Sequence, residues 1–395
     1  MLLDKKKLEW IVASILKAIM GLLIMEIGVE VLSKSMIALN YLIPKAFKFI
    51  GIMPQSEGAA GLAEFRYSSA INTVVFIGMA TNLLLARFTR FKYIFLTGQQ
   101  IIYMASIIVI AILPQKIPYN VGILTGGVIL GSLMTFMPHL IHKYTKLISK
   151  NDNVAIGHFS SISFFISSQI GRLFSKKEEE SKKNKRKPAS PLLFDSTLIT
   201  SLFMAIIFIV GALISGKSHV EDISGGSNFI IFAFRQALTF GAGVYIILTG
   251  VRMFIQEIIP AFKSFATKFV PDAVVALDIS VLFPYHENIM MLGFIFSFFG
   301  GICASILMSF NYIEVILPSI LIHFFVGGGS GIYGYATGGK RGCMAGAFVT
   351  GILLNLGALM MLSYYKKIGF NKFVFGEMDL SVVGYMISKI IEIIK

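Results

Sequence analysis

Apolar stretches of roughly twenty residues recur along the 395-residue chain, at about 10–33, 70–87, 93–114, 119–138, 196–215, 228–255, 288–310, 312–333, 340–364 and 378–394. Wound as an α-helix, each is long enough to cross a hydrocarbon core about 30 Å thick. Hydrophobic residues make up 55% of the chain and charged ones only 14%, a balance that a soluble domain of this size does not carry. The expected fold is all-α: a polytopic membrane protein of about ten membrane elements. The first stretch is longer than a signal-peptide core and has no small-residue cleavage pattern behind it, so the chain is read as starting at a mature end.

The formal net charge is +14. Its basic residues sit beside the apolar stretches and are not interleaved with aromatics, which argues against nucleic acid and for the positive-inside rule. By that rule Lys5, Lys6 and Lys7, then Arg87, Arg90 and Lys92, then the loop starting near Arg172 face the cytoplasm. KKEEESKKNKRKP, residues 176–188, has the composition of a linker and is read as a topogenic loop that a cytoplasmic partner could also use. It separates a first half, 1–175, from a second half, 191–395, of one integral-membrane unit, with the charged loop spanning 176–190.

Three segments are apolar but interrupted by glycine and polar residues: GIMPQSEGAAG (51–61), NDNVAIGHFSSISFFISSQIGRLF (151–174) and PDAVVALDISVLFPYHEN (271–288). Such pieces read as broken helices or re-entrant hairpins, whose freed backbone groups must face protein or a wet cavity. The second and third start about 120 residues apart, which points to an internal repeat with a ligand held between the halves. Residues 252–270, with Arg252, Glu257, Lys263 and Lys268 among apolar neighbours, read as an amphipathic surface helix or a lever, kinked or restarted at Pro260.

Several motifs fall short of a chemistry. GYATGGKR (334–341) has P-loop glycine spacing, but Arg341 stands where Ser or Thr must reach magnesium and no strand precedes it, so with VGGGSGIYG before it the stretch is expected to be a flexible turn at the membrane edge. His139 and His142 have metal-ligand spacing but no third ligand, and Pro138 with Lys143 suggests a helix end at the interface. His219, His286 and His323 are isolated, and Cys303 and Cys343 read as packing residues. No metal, cofactor or catalytic pair is expected.

Polar residues inside the apolar frame are the candidates for ligand contact. Gln99 and Tyr103 are four apart and share a helical face, with Gln100 beside them. His158 sits in IGHFSS, where its imidazole acts either as a ligand contact or as a satisfied helix-start residue. Asp272 and Asp278 would stand about 120° apart on a helix, too far around for a carboxylate pair, and no GxGD motif accompanies them. Asp272, after Pro271, reads as a helix cap; Asp278 lies deeper and is by default a ligand or ion contact.

FLTGQQ, VAIGHFSS, GVRMFIQEIIPAF with VPDAVVALD, and GGKRG occur in an order that resembles the ascorbate-type membrane permease, enzyme IIC, of the bacterial phosphotransferase system, over roughly residues 5 to 365. The resemblance implies a homodimeric, multi-pass permease of the bacterial cytoplasmic membrane, with a substrate-carrying core that moves against an interface domain. It implies an ascorbate-like or other small sugar-like substrate, phosphorylated by a separate cytoplasmic enzyme IIB supplied by IIA, and no phosphoryl-carrying residue of the permease itself. Its substrate contacts map onto Ser56 and Glu57, Gln99, Gln100 and Tyr103, His158 and Phe159, and Asp278. His158 and Asp278 keep the family residue, whereas Gln99, Tyr103 and Phe159 replace histidine, glutamine and glutamine, which changes the groups that would meet a ligand's hydroxyls. The chain also reads as beginning near the family's second membrane segment. The alternative is an ion-coupled secondary transporter, in which Asp278 would carry the coupling ion.

Overall fold

The computed structural model describes residues 8–47, 51–175, 196–311, 314–370 and 374–394. Lys5 to Lys7 and the charged stretch 176–188 lie outside them, as do the side chains of Lys263 and Lys268. The protein is built from long helices joined through very short strands, most of them buried. In chain order these are α1 (Leu8–Phe47), β1 (Gly51–Ile52), α2 (Ser56–Phe88), β2 (Tyr93–Phe95), α3 (Gly98–Ile112), α4 (Tyr119–Ser149), β3 (Val154–Ile156) and α5 (Ser161–Arg172). The second half holds α6 (Ser196–Ser215), α7 (Lys217–Ser224), α8 (Phe229–Phe269), β4 (Val274–Leu277), α9 (Glu287–Phe310) and β5 (Val315–Ile316). A turn of helix and a π-bulge, His323–Gly327, lead into α10 (Gly328–Lys367), and α11 (Met378–Ile394) ends the fold.

Seven helices among the described residues are long and apolar enough to cross a membrane, or eight if α6 and α7, bent by 115° at Gly216, count as one broken span. The all-α membrane architecture expected from composition is therefore present, with fewer full spans than stretches because some elements are short or merged. The stretches expected at 312–333 and 340–364 belong largely to one element, Ile320–Lys367. VGGGSGIYG is helical, not a turn; the break comes later, at Gly338 and Gly339, where Gly339 has φ +60° and ψ −154°. That conformation favours glycine. α4 does not end near Pro138 but continues to Ser149, and α8 continues past Pro260 to Phe269, so residues 252–270 extend a span and do not form a separate surface helix.

α1 lies against α8, and α6 packs on both. Small residues set the closeness of the first pair: a Cβ on Gly28 would lie 2.6 Å from the backbone nitrogen of Ile247, so only glycine lets the two helices touch there. The outer face of α1 carries exposed Trp10, Ile15, Leu16 and Leu23, an apolar surface that suits lipid or a neighbouring membrane helix. Of the remaining helices, α5 and α9 pack on α10, α2 and α3 pack on each other and on α4, and α11 packs on α3 and α10.

Between these layers β2, β4 and β3 form a parallel three-stranded sheet in that order, with Phe95 opposite Ala276 and Ile156 opposite Leu277. Strands of three or four residues contributed by both halves satisfy one another's backbone groups, and the ladder continues through Leu96 N–H to Ala276 O at 3.0 Å and Gly157 N–H to Leu277 O at 2.7 Å. The outer edge of β2 is closed by a side chain. Asn82 donates its amide to Tyr93 O at 3.0 Å and to Thr135 Oγ1 at 2.8 Å, while its carbonyl accepts from Phe95 N–H at 3.1 Å. Asn82 therefore stands in for a fourth strand. Asn355 of α10 acts similarly at β5, donating to Ile316 O at 2.9 Å and Gly301 O at 3.0 Å.

Each buried backbone group left unpaired costs about 1–3 kcal/mol. Asn82→Ala should therefore lower the thermal midpoint of the detergent-solubilised protein well below that of an exposed-face substitution such as Leu84→Ala. A melt followed by fluorescence-detected size exclusion measures the difference; equal midpoints would remove Asn82 from this role.

Candidate substrate cavity

A cavity of about 300 Å³ opens where the sheet's C-terminal ends meet the α1–α8 pair. Its two walls differ in kind. Leu22, Met25 and Val29 of α1 with Val251 and Phe254 of α8 supply a wholly apolar wall; the facing wall carries all the polar groups, Glu57, Thr97, Gln99, Gln100, Tyr103, His158, Asp278, Ser280 and Glu377, set among apolar residues such as Leu277, Val281, Leu321 and Phe325. The polar wall is assembled from the points where strands end and short helices begin. β2 delivers Thr97 and the first turn of α3, β3 delivers His158, and β4 delivers Asp278. The parallel register of the sheet is what brings these three chain-distant positions to one rim.

Asp278 is not on an α-helix, so the angular argument that separated it from Asp272 does not describe the real geometry. It ends β4 and caps the 3-10 helix Ile279–Tyr285, with Oδ2 accepting from Ser280 N–H at 3.1 Å and from Ser280 Oγ–H at 2.7 Å. Oδ1 is left facing His158 Nε2 at 3.8 Å, beyond a direct hydrogen bond. Asp272 caps no helix either; it lies in the turn before β4 with φ +61°. His158 is buried, and its Nδ1 has no hydrogen-bond partner among the described residues, so the reading of a satisfied helix-start histidine does not apply to that nitrogen.

The neighbours divide between wall and support. Gln99 donates its amide to Tyr103 Oη one turn on, the face-sharing expected from their spacing, and both line the cavity. Gln100 also lines it, but its carbonyl accepts from Phe159 N–H at 3.1 Å and so fixes the β3–α5 turn to α3. Phe159 is fully buried and stacks on Phe95 at 4.9 Å, behind the wall. Ser56 is likewise buried; it donates to a Glu377 carboxylate oxygen and accepts from Gly376 N–H at 3.0 Å. Of the eight expected contacts, six line the cavity and two, Ser56 and Phe159, hold the lining in place from behind.

Glu377 and Asp379 were not anticipated. The loop before α11 brings Glu377 into the cavity wall, and the first turn of α11 places Asp379, fully buried, at the start of α5, where its Oδ2 accepts from Ile162 N–H at 2.9 Å. A carboxylate at a helix N-terminus meets both unpaired N–H groups and the positive end of the dipole. Both acids stand just ahead of an apolar stretch in a chain with only 21 acids, the same signal that drew attention to Asp278.

Other groups prove structural. His139 and His142 surround Tyr93, with His139 Nδ1 at 3.3 Å from its hydroxyl, and His142 is buried. No cluster of three metal-ligating side chains occurs among the described residues. Arg252 pairs with Glu287 at the start of α9, and Glu257 lies 3.9 Å from Lys17 of α1. Cys303 and Cys343 are both free thiols.

A bundle of membrane-crossing helices that holds a two-sided polar and apolar cavity against a separate helical layer has the architecture of a permease. Residues 1–379 match the family described as "PTS system sugar-specific permease component", and the chain belongs to that family of multi-pass permeases of the cytoplasmic membrane. Over 332 residues it is 26% identical to the ascorbate-specific PTS system EIIC component of Mycoplasma pneumoniae (strain ATCC 29342 / M129 / Subtype 1), a match that covers 73% of this chain and 50% of that protein. The chain thus spans about half the length of this relative.

The supporting role of Gln100 is separable from a lining role. Gln100→Leu leaves Phe159 N–H buried without an acceptor and should lower the thermal midpoint, whereas Gln99→Leu, which loses only a contact to Tyr103, should leave it nearly unchanged. Thermal melts of the two variants side by side test this, and equal losses would contradict it.

Proposed function

We propose that the protein carries a small hydroxylated compound, ascorbate-like or otherwise sugar-like, across the cytoplasmic membrane for phosphorylation by a separate enzyme IIB supplied by IIA. The observation that carries the proposal is the two-walled cavity. Its polar rim supplies Asp278 Oδ1, His158 Nε2 and the Gln99 amide, a set of acceptors and donors suited to hydroxyl groups. The apolar wall of Leu22, Met25, Val251 and Phe254 suits the C–H face of the same molecule.

Roles follow from position. Asp278 accepts hydrogen bonds from ligand hydroxyls while its second oxygen stays on Ser280, so the carboxylate is aimed before the ligand arrives. His158 donates or accepts through Nε2, the ring nitrogen that faces Asp278. Tyr103 and Gln99, tied to each other, shape the far end, and Glu57 stands at the exposed rim.

Access alternates when the body bearing the polar rim moves against the α1–α8 layer. Across the cavity the two walls meet through few polar contacts, among them Ser280 Oγ 3.8 Å from Met25 Sδ, a contact weak enough to slide. Two copies of the chain would associate through the helical layer that stays still. The ligand's acceptor hydroxyl is phosphorylated only after it reaches the cytoplasmic opening, and no residue of this chain needs to carry the phosphoryl group.

Asp278→Asn keeps the oxygen that caps the 3-10 helix and removes the charge. A hydrogen bond to a charged acceptor is worth about 1.5–3 kcal/mol, so binding should weaken about 10-fold to 100-fold with the thermal midpoint little changed. Titration calorimetry on the purified protein measures it; unaltered affinity would place the ligand elsewhere.

A further inference from the structure

Resting on the transport reading above, we infer that His323 is a positioning residue for translocation: without touching the ligand, it holds the π-bulge that carries part of the cavity's lining against the α1–α8 layer. The bulge, His323–Gly327, follows the helical turn Ile320–Ile322 and runs into α10. Leu321, Ile322, Phe325 and Val326 line the cavity, and His323 does not. Its ring is buried on the other side of the segment, against α9.

A π-turn holds one residue more than an α-turn, and such bulges are rare and concentrated at functional sites. This one is held at both ends. His323 Nδ1 hydrogen-bonds Ser297 Oγ of α9 at 2.8 Å, and the Asn355 side chain of α10 hydrogen-bonds the same ring. At the far end a Cβ on Gly327 would lie 2.4 Å from Ser297 Oγ, so glycine lets the bulge close on that same serine. Freed of these contacts, the five residues relax to an ordinary helix. Losing one residue from the turn rotates Leu321 and Ile322 by about 100° relative to α10, away from the cavity.

The segment is also one of the places where the two layers touch. Ile320–Ile322 packs on α1, and the Phe324 ring meets Phe240 of α8 edge-on at 5.8 Å. On its own side Phe324 meets Phe283 and Phe294. The polar groups assigned to the ligand, Asp278, His158 and Gln99, stand at the strand ends and not on the bulge. A loosened bulge therefore disturbs the contacts that must slide during translocation and leaves ligand affinity largely intact. Leaving Ser297 and Asn355 without their partner shifts the balance between bulge and helix by about tenfold or more.

Counterflow of radiolabelled ascorbate, xylitol and glucitol into proteoliposomes of the full chain gives the maximal exchange rate, and titration calorimetry on the same preparations gives the affinity. His323→Leu is expected to slow exchange at least about tenfold while affinity changes by less than about threefold. His323→Gln, whose amide can still meet Ser297 and Asn355, is expected to recover most of the rate. Ser297→Ala keeps the ring and removes its partner; it is expected to slow exchange likewise, and it carries the test should the histidine variants fail to fold. Unchanged exchange in the folded variants, an affinity that falls in step with the rate, or His323→Gln as slow as His323→Leu overturns the inference and leaves the cavity reading standing. A wild-type protein that exchanges none of the three compounds, or a bound compound held as tightly after Asp278→Asn, overturns the cavity reading and the inference with it.

Discussion

Buried backbone that is not helical must find its hydrogen bonds inside the protein, and the fold is organised around meeting that demand at a few points. The parallel sheet β2–β4–β3 pairs strands of three or four residues drawn from both halves of the chain. Its open edge is closed by the Asn82 side chain, and Asn355 makes matching bonds at β5. In a bundle of mostly apolar helices, these asparagines satisfy strand ends held in the interior. The order long helix, short strand, short helix, long helix, short strand occurs as α2 to β3 and again as α8 to β5, with the 3-10 helix after β4 in the third place.

A polar rim follows from the sheet. Every strand of the parallel set ends in the same direction, so Thr97, His158 and Asp278 converge although they are far apart in sequence. The helices that start from those ends direct their unpaired N–H groups toward the same region, and the acids use them: Asp278 caps its own 3-10 helix, and Asp379, in the first turn of α11, caps α5. The apolar wall belongs to a different layer, α1 and α8, packed together through a glycine contact. The polar groups of the lining all come from the side facing the α1–α8 pair, and the Arg252–Glu287 ion pair ties α8 to the start of α9.

The membrane class was legible because hydropathy needs no tertiary information, and the interrupted segments announced themselves through glycine and polar residues placed where a span would be apolar. His158, Asp278, Gln99 and Tyr103 stood out for the same reason, and the cavity brings them together. Strands this short have no periodicity to read, so Asp278 was given helical geometry it does not have. Pro138 reads as a helix end and Pro260 as a kink or restart because local preference weighs against proline, yet tertiary packing carries α4 and α8 through them. Asn82 and Asn355 were hidden inside apolar stretches, and Ser56 and Phe159 give no local sign that they stand behind the wall and not on it.

The central claim is that a ligand lies between the strand-end rim and the α1–α8 wall. An electron cryo-microscopy structure of the protein saturated with its tightest hydroxylated ligand tests it most directly. The account predicts density bounded by Asp278, His158 and Gln99 on one side and Met25 and Phe254 on the other, with a ligand hydroxyl within hydrogen-bonding distance of Asp278 Oδ1. Ligand density anywhere else, with this cavity left to water, would contradict it.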